Sequence, residues 1–275
     1  MLTIQFALSV VVLIAGISFV QNTEYQEEIN LGYNRDKVLL VSVQGQNDFA
    51  ILKNEVKNNP KVEMVGVTKN SFGWGSYSIA VGIDTAEYKA VHYSIGENYH
   101  EVMGVNVIEG RTLNLNNMTD VEGSIVVNQA FVDKVNMEDP INKIIKVHEV
   151  KRKIVGVVDN HIGNLFSSRQ EEACLFYPAK KDEYSVMLIK ANSEDLLEIK
   201  ESTETIWKEH FPERTYDARL QSEIVLKGVR DTNTNLKKIF IFLTILGGLL
   251  SENTPNIIKP SITTVQSIGT MKLLP

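Results

Sequence analysis

The sequence predicts an α+β fold in which a lobe of β-α-β units carries an inserted antiparallel β-rich lobe, with membrane-directed helices on either side. Three observations predict it. Strand and helix periods alternate near 37–67 and again near 173–220, short alternating strands fill the stretch between, and an apolar run stands near each end. Alternating strands and helices are typical of β-α-β units, whereas short strands separated by turns are typical of antiparallel sheet.

The chain opens on an apolar run, residues 2–20, interrupted only by Gln5 and by small or weakly polar residues. A bilayer core of roughly 30 Å needs about 20 apolar residues in a helix, so we expect a transmembrane helix over 1–22. A secretory signal peptide is the alternative, although no Lys or Arg precedes the run. A buried helix of a soluble core would carry a polar stripe, which this run lacks. The missing basic residues also suggest that the chain begins inside a longer gene product.

Residues 23–72 are predicted to form a stalk and the first part of the β-α-β lobe. Polar residues can continue the first helix as far as Gly32, where a helix C-cap is expected. Two strands are predicted, at 38–43 and 62–67. Between them, apolar residues repeat at helical spacing, which predicts a helix capped by Asn47 or Asp48.

Residues 73–172 are predicted to form the inserted β-rich lobe, because short apolar segments alternate with turn residues there. Strands are expected at 77–83, 88–93, 105–108, 124–128, 144–150 and 153–158, the last two as a hairpin. A turn is expected at 109–111. A short helix should end at Gly104, and Asn128 is placed to cap a second helix that runs to Val135.

Residues 173–235 are predicted to complete the first lobe and to lead back to the membrane. Strands are expected at 174–177, 185–190 and 216–220. Ser193 is placed to cap a long amphipathic helix, and a final helix should open at Ser222. The apolar side of the long helix is predicted to comprise Leu196, Leu197, Ile199, Ile206 and Trp207.

Residues 236–275 contain a second apolar run, 239–250, followed by a polar tail with two prolines. The run is shorter than the roughly 17 residues that a crossing helix needs. We therefore predict an incomplete second transmembrane segment and a degenerate tail. An interfacial helix end and a buried terminal helix of a soluble domain are the alternatives.

Composition narrows the classes of function. The net charge is -6 at pH 7 and no basic stripe is present, so a nucleic-acid partner is not expected. The single cysteine, Cys174, cannot form an intrachain disulfide. Its apolar neighbours predict a buried thiol rather than a nucleophile.

The sequence carries no recognisable catalytic motif. It lacks a phosphate-binding loop, a zinc-protease helix motif and a nucleophile elbow. The histidines lie on separate predicted elements without ligand spacing: His92, His100, His148, His161 and His210. We therefore expect a protein that is not an enzyme, with no cofactor and no metal site in this chain. Phe72 and Trp74, in a glycine-rich loop, are weak candidates for contact with a partner, and an aromatic plug of the local core is the alternative.

Several segments carry a family resemblance. They are the opening QFALSVVVLI, the stalk exit LGYNRDKVLLV, the helix LKNEVKNNPKV, the segments GENYHEVMGVNVIEGR and IVVNQAFV, DPINKII followed by IVGVVDNH, and a distant echo of a cytoplasmic coupling sequence in SIGTMKLL. Together they resemble the MacB-like, or FtsX-like, permeases of ABC transporters, in the branch common in Bacteroidetes-type bacteria.

The resemblance implies a periplasmic domain with a porter-like β-α-β lobe and an inserted, sabre-like β-rich lobe, anchored in the bacterial inner membrane. The partners that it implies are a cytoplasmic ABC ATPase subunit that holds ATP, a second permease subunit in a dimer, and a periplasmic adaptor or cargo. We expect the domain to transmit conformational change from that ATPase during export of a lipoprotein, drug or peptide. A membrane-tethered extracytoplasmic sensor or interaction domain without transport activity is the alternative.

Overall fold

The structure is a computed structural model that describes residues 28–73, 77–163 and 172–227, together with residues 11, 14–19, 21, 25 and 238. The predicted membrane segments at 1–22 and 236–275 therefore lie largely outside the described residues. Within the described part, no helix combines the length and the apolar character that a membrane crossing requires. Gln21–Arg230 form one compact unit, to which the elements below belong.

The described strands belong to one continuous sheet. They are β1 (Val38–Ser42), β2 (Val62–Thr68), β3 (Tyr77–Ile83), β4 (Ala86–Ile95), β5 (Val107–Gly110), β6 (Ser124–Asn128), β7 (Ile144–Val147), β8 (Val150–Val158), β9 (Cys174–Pro178), β10 (Val186–Ala191) and β11 (Ala218–Leu220). The helices are α1 (Gly45–Val56), α2 (Tyr99–Met103), α3 (Met118–Gly123), α4 (Gln129–Lys134) and α5 (Leu196–His210). Residues 221–227 are also helical.

The first lobe is a four-stranded antiparallel sheet in the order β11-β1-β10-β2. β1 and β2 run parallel to each other, because both pair antiparallel with β10 between them. α1 connects β1 to β2, and α5 connects β10 to β11. This is the split β-α-β arrangement of ferredoxin-like folds, and the second lobe is inserted between β2 and β10.

The second lobe closes into a barrel. β4 pairs with β3, β3 with β7, β7 with β8, β8 with β6 and β6 with β9, and β9 pairs in turn with β4. The β6–β8 and β4–β9 pairings are parallel, and β5 adds to β8 outside the circuit. Closure gives each strand of the circuit a neighbour on both sides, which removes the exposed edges of an open sheet.

Three apolar cores hold these elements together. The first lies between α1, α5 and one face of the four-stranded sheet, and it contains Trp207. The second fills the barrel with side chains from all of its strands and with Phe131 of α4. The third lies between the other face of the sheet and the outside of the barrel, and it contains Leu40 and Phe176.

In β1, the sequence VLLV does not alternate between apolar and polar residues, because both faces of the strand are buried. Leu39 and Val41 point into the first core, whereas Val38 and Leu40 point into the third. Successive side chains of a strand face opposite sides of the sheet, and both sides are covered here. A continuous apolar run is what such a strand requires.

The predicted α+β fold class is confirmed, and several local predictions hold. The predicted helix C-cap at Gly32 is an exception: Gly32 has a left-handed φ of 77°, but residues 29–31 before it are not helical, so it does not cap a helix. The side chain of Asn128 caps α4 by accepting a hydrogen bond from the Phe131 N–H at 3.0 Å. α2 ends at Gly104, which has a φ of 67°, and the Cys174 thiol is buried.

Other local predictions are wrong at element boundaries. α1 begins at Gly45, before the predicted caps, because the Asp48 carboxylate in its first turn accepts a hydrogen bond from the Gln44 N–H at 2.7 Å. The hairpin between β7 and β8 turns at His148 and Glu149, where a strand was predicted, because both residues adopt left-handed φ values.

Three further predictions need correction. The predicted turn at 109–111 includes the last residues of β5, because Gly110 pairs with β8. α3 occupies a stretch for which no helix was predicted, since Asn117 caps it by accepting from the Thr119 N–H. α5 begins at Leu196 with no side-chain cap, and Leu197 on its predicted apolar side is 61% exposed.

Candidate functional site

Aromatic side chains from six places in the sequence meet between the two lobes. This junction cluster consists of Tyr33, Phe72, Tyr93, Tyr99, His161 and Phe176. The ring of Phe72 lies at the centre, 4.3 Å from the His161 ring centroid, 4.6 Å from Tyr33 and 4.9 Å from Tyr93. Each member is buried, so the cluster forms a dense joint between the sheet and the barrel.

The first chain segment to enter the cluster, residues 28–34, arrives from the predicted stalk. Gly32 lies so close to the neighbouring loop that an added Cβ would stand 2.5 Å from the Asn160 carbonyl oxygen. The Leu31 carbonyl accepts a hydrogen bond from the Ile162 N–H at 2.9 Å. The segment is therefore fixed both by close packing and by a backbone hydrogen bond, and only glycine fits at the contact.

The second segment, residues 221–227, lies in the sequence just before the predicted return to the membrane. Gln221 is fully buried, and its side-chain amide donates to the Phe72 carbonyl at 2.8 Å. Val225 belongs to the same apolar core as Phe72. Both chain segments that border the domain thus contact one cluster, from opposite ends of the sequence.

The titratable groups in and beside the cluster are neutral. Burial lowers the pKa of His100 to about 3 and that of His161 to about 4, and the backbone of Asp159 opposes part of the second shift. Burial also raises the pKa of the Cys174 thiol, whose Sγ lies 3.6 Å from His161 Nε2. A neutral thiol beside a neutral imidazole is a poor nucleophile, so the pair suits packing better than catalysis.

The two residues proposed from the sequence have different outcomes. Phe72 is fully buried in the core, which is the position that the aromatic-plug alternative describes, and its contact with a partner stays a prediction. Trp74 lies outside the described residues. Sequence reasoning missed Tyr33, His161 and Gln221 as members of one cluster, because they lie in segments that are far apart in the sequence and show no periodicity.

Four of the five histidines that looked isolated in sequence form two pairs in space. His100 and His161 both contact the Phe176 ring, and His92 and His148 meet at one end of the barrel with their ring centroids 6.0 Å apart. Across the part of the chain that the structure covers, no group of three or more His, Cys, Asp or Glu side chains is arranged to hold a metal ion.

Comparison with known proteins gives a family match over most of the chain. The family model described as MacB-like periplasmic core domain matches residues 1–206. Among curated proteins, the macrolide export ATP-binding/permease protein MacB of Bartonella quintana (strain Toulouse) is 27% identical over 99 residues. This match covers 34% of the chain, and the chain spans 15% of the length of that relative.

Solved structures of transporter domains resemble this chain. The periplasmic region of MacB from Actinobacillus actinomycetemcomitans has a TM-score of 0.51 at 15% identity, covering 76% of this chain and 98% of that one. The extracellular domain of the noncanonic ABC-type transporter YknZ from Gram-positive bacteria has a TM-score of 0.48 at 13% identity, covering 66% and 99%. The first of these likenesses shows a shared fold.

Proposed function

Because the chain belongs to the family of MacB-like periplasmic core domains, we propose that it is the periplasmic part of an ABC transporter permease. In this role it transmits conformational change from a cytoplasmic ATPase to periplasmic cargo or partners, during export of a lipoprotein, drug or peptide. The observation that carries the proposal is the contact of residues 28–34 and 221–227 with one buried cluster. A shift in either segment has to be accommodated by Phe72 and its neighbours, because packed interiors do not deform continuously.

The proposed partners follow from this mechanical role. ATP is bound and hydrolysed by a separate ATPase subunit or domain, and the chain itself performs no catalysis and holds no cofactor. A second permease subunit forms a dimer with it in the bacterial inner membrane, and an adaptor or the cargo meets the domain in the periplasm. The name of the Bartonella relative, which joins ATP binding to a permease, supports an ATPase partner.

The first test is copurification. The tagged full chain is solubilised from native membranes in mild detergent, and the proteins that accompany it are identified. We expect an ABC-type ATPase subunit among them. Recovery of the folded chain without any ATPase would contradict the proposal and would favour the membrane-tethered sensor.

The second test removes the link between the exit segment and the cluster. Gln221→Ala deletes the amide that donates to the Phe72 carbonyl, whereas the matched control Gln129→Ala deletes an exposed amide that donates to Asp133. With the copurified ATPase, we expect ATP to change the limited proteolysis pattern of the wild-type domain. Changes of this kind typically alter coupling by about 0.5–2 kcal/mol, so Gln221→Ala should weaken the ATP effect by about 2- to 30-fold.

Both variants should still copurify with the ATPase, because neither residue lies in a membrane-directed segment outside the described unit. An ATP effect that is equal in Gln221→Ala and Gln129→Ala would show that the exit segment does not carry the signal. Loss of the ATP effect in both variants would contradict the proposed route as well, since the Gln129 amide donates to Asp133 of the same helix and not to the Phe72 carbonyl.

A further inference from the structure

One end of the barrel is lined by cationic and aromatic side chains, which we call the barrel mouth: Tyr77, His92, His148, Arg152 and Tyr177. Each strand residue of this set is two positions from a residue that packs in the barrel interior, as Tyr177 is from Leu175 and Arg152 is from Ile154. Side chains two positions apart on a strand point to the same face of the sheet. The strand residues of the mouth therefore lie on the inward-facing side of the barrel, beyond its apolar core.

The opposite end of the barrel is filled. α4 follows the end of β6, and its Phe131 and Val132 pack with the interior residues. The mouth lies at the start of β6, since the Arg152 guanidinium donates to the Ser124 carbonyl there at 3.3 Å. The mouth is therefore the end of the barrel that α4 does not cover.

Three side chains of the mouth, His92, His148 and Arg152, pack around the Tyr177 ring. The His92 ring stacks on Tyr177 with centroids 5.6 Å apart and an interplanar angle of 8°. The His148 ring stands nearly perpendicular to both, 6.0 Å from His92 and 6.2 Å from Tyr177, and the Arg152 guanidinium carbon lies 5.2 Å from the Tyr177 centroid. His92 Nδ1 lies 3.1 Å from the Tyr77 carbonyl, which suits donation to that oxygen and leaves Nε2 directed elsewhere.

The mouth gathers positive charge without a counter-ion. Among the described residues, no carboxylate oxygen lies within 4.0 Å of the Arg152 guanidinium, although that group is only partly exposed. Burial lowers the pKa of Arg152, and burial together with His148 and Lys69 lowers the pKa of His92. Lys69 is paired with Glu183 at 3.0 Å, so its charge is partly balanced, whereas the charge of Arg152 is not.

A strained turn holds His148 over the mouth. His148 and Glu149 form the turn between β7 and β8 with φ values of 48° and 66°. Two-residue hairpin turns of this kind favour Asn-Gly or Asp-Gly, because a left-handed backbone strains residues of other types. Strain of this kind is typical of sites where a side chain is held in place for binding.

We propose that the barrel mouth binds an anionic group, a carboxylate or a phosphate, carried on an aromatic or apolar body. The free N–H groups of Arg152 donate to the anion, and the His92 and His148 rings stand beside it. Tyr77, which is 69% exposed, and Tyr177 contact the body of the ligand. The nearby positive charges of Arg152 and Lys69 disfavour a metal cation between the two histidines. This proposal does not depend on the proposed transport function.

The test uses the full chain in detergent micelles and four probes: phenyl phosphate, benzoate, inorganic phosphate and phenol. Isothermal titration calorimetry at about pH 6 and about pH 8 measures the affinity of each. We expect saturable binding of phenyl phosphate or benzoate at both pH values, because the Arg152 guanidinium is charged throughout this range. Inorganic phosphate should bind more weakly because it lacks the ring, and phenol should not bind. The preferred probe distinguishes a phosphate ligand from a carboxylate ligand.

Variants make the assignment specific. Arg152→Gln should weaken binding at least about tenfold, since one charge-assisted contact contributes about 1.5–3 kcal/mol, whereas the exposed control Arg219→Gln should not. His148→Asn keeps a residue that tolerates the left-handed turn and should weaken binding less than Arg152→Gln does, because it removes a ring but leaves the guanidinium. Thermal midpoints of all variants show whether each one is folded. No saturable binding by either aromatic anion, or equal affinities in Arg152→Gln and Arg219→Gln, would overturn the proposal.

Discussion

Single residues set the position of the segment that enters the junction cluster, and Gly32 is the clearest case. Its left-handed φ and its approach to the Asn160 carbonyl leave no room for a Cβ. We expect Gly32→Ala to lower the free energy of unfolding by about 1–3 kcal/mol, because both backbone strain and a steric clash arise. Urea unfolding followed by circular dichroism measures the change.

Gly123 provides the matched control. An added Cβ there would meet nothing within 4 Å, and the residue lies in α3. Gly123→Ala should therefore leave stability unchanged or raise it by up to about 1 kcal/mol. Equal destabilisation by both substitutions would contradict the specific role of Gly32.

The buried histidines predict how stability depends on pH. His100 and His161 have ordinary pKa values near 6.5 when unfolded, and burial lowers these to about 3 and about 4 in the folded domain. Below pH 6.5 the unfolded chain therefore takes up protons that the folded chain does not. Their contribution to stability is complete above pH 6.5 and is lost as the pH falls, by roughly 2 kcal/mol per histidine between pH 7 and pH 5.

His100→Gln tests this dependence directly. The variant should lose roughly 2 kcal/mol less than the wild type between pH 7 and pH 5, measured as the free energy of unfolding in urea at each pH. His210→Gln, at an exposed position, is the control and should keep the wild-type slope. A slope that is unchanged in His100→Gln would mean that this histidine is not desolvated as described.

At the scale of elements, one ion pair ties the start of α1 to the loop after α5. The Asp48 carboxylate accepts from the Gln44 N–H and from the Arg214 guanidinium, both at 2.7 Å. Arg214 also lies over the Trp207 ring, with 5.0 Å to its centroid. Because Asp48 is buried and serves both a helix start and a cation, its loss affects two elements.

We expect Asp48→Ala to lower the free energy of unfolding by about 1–3 kcal/mol, since it removes a first-turn hydrogen bond and leaves Arg214 without its partner. Glu204→Ala removes an exposed ion pair with Lys208 within α5 and should change stability by less than about 0.5 kcal/mol. Differential scanning fluorimetry compares the thermal midpoints of the two variants. Equal effects would show that the Asp48 pair contributes no more than a surface pair.

Elements were predictable from sequence where a local signal exists. The strands of the first lobe and the cap at Asn128 follow from periodicity and side-chain chemistry that act within a few residues. The turn at His148 and Glu149 was not predictable, because neither residue is typical of left-handed turns and the strands on both sides impose the conformation. The prediction for Leu197 is wrong although a local signal exists. Its spacing suits the apolar face of α5, but the core does not extend that far around the helix.

At the scale of the whole molecule, short segments of the sequence were enough to identify the family, and the matches to known proteins confirm it. The closed barrel and the junction cluster were not predictable, because both depend on pairings between distant segments. β9 illustrates this: its sequence reads as a strand beside the first lobe, yet it pairs with β4 and β6 and closes the barrel. Which strand edges meet is decided by the packing of the complete domain.

In the proposed mechanism, the entry segment 28–34 and the exit segment 221–227 are coupled through the junction cluster. Hydrogen-exchange mass spectrometry of the full chain in detergent measures this coupling, with Gln221→Ala compared against Gln129→Ala. We expect Gln221→Ala to raise exchange both near the substitution and in peptides covering 28–34 and 160–163, while α5 keeps its protection. Faster exchange confined to 221–227 and 71–73, with the entry segment unchanged, would contradict the coupling.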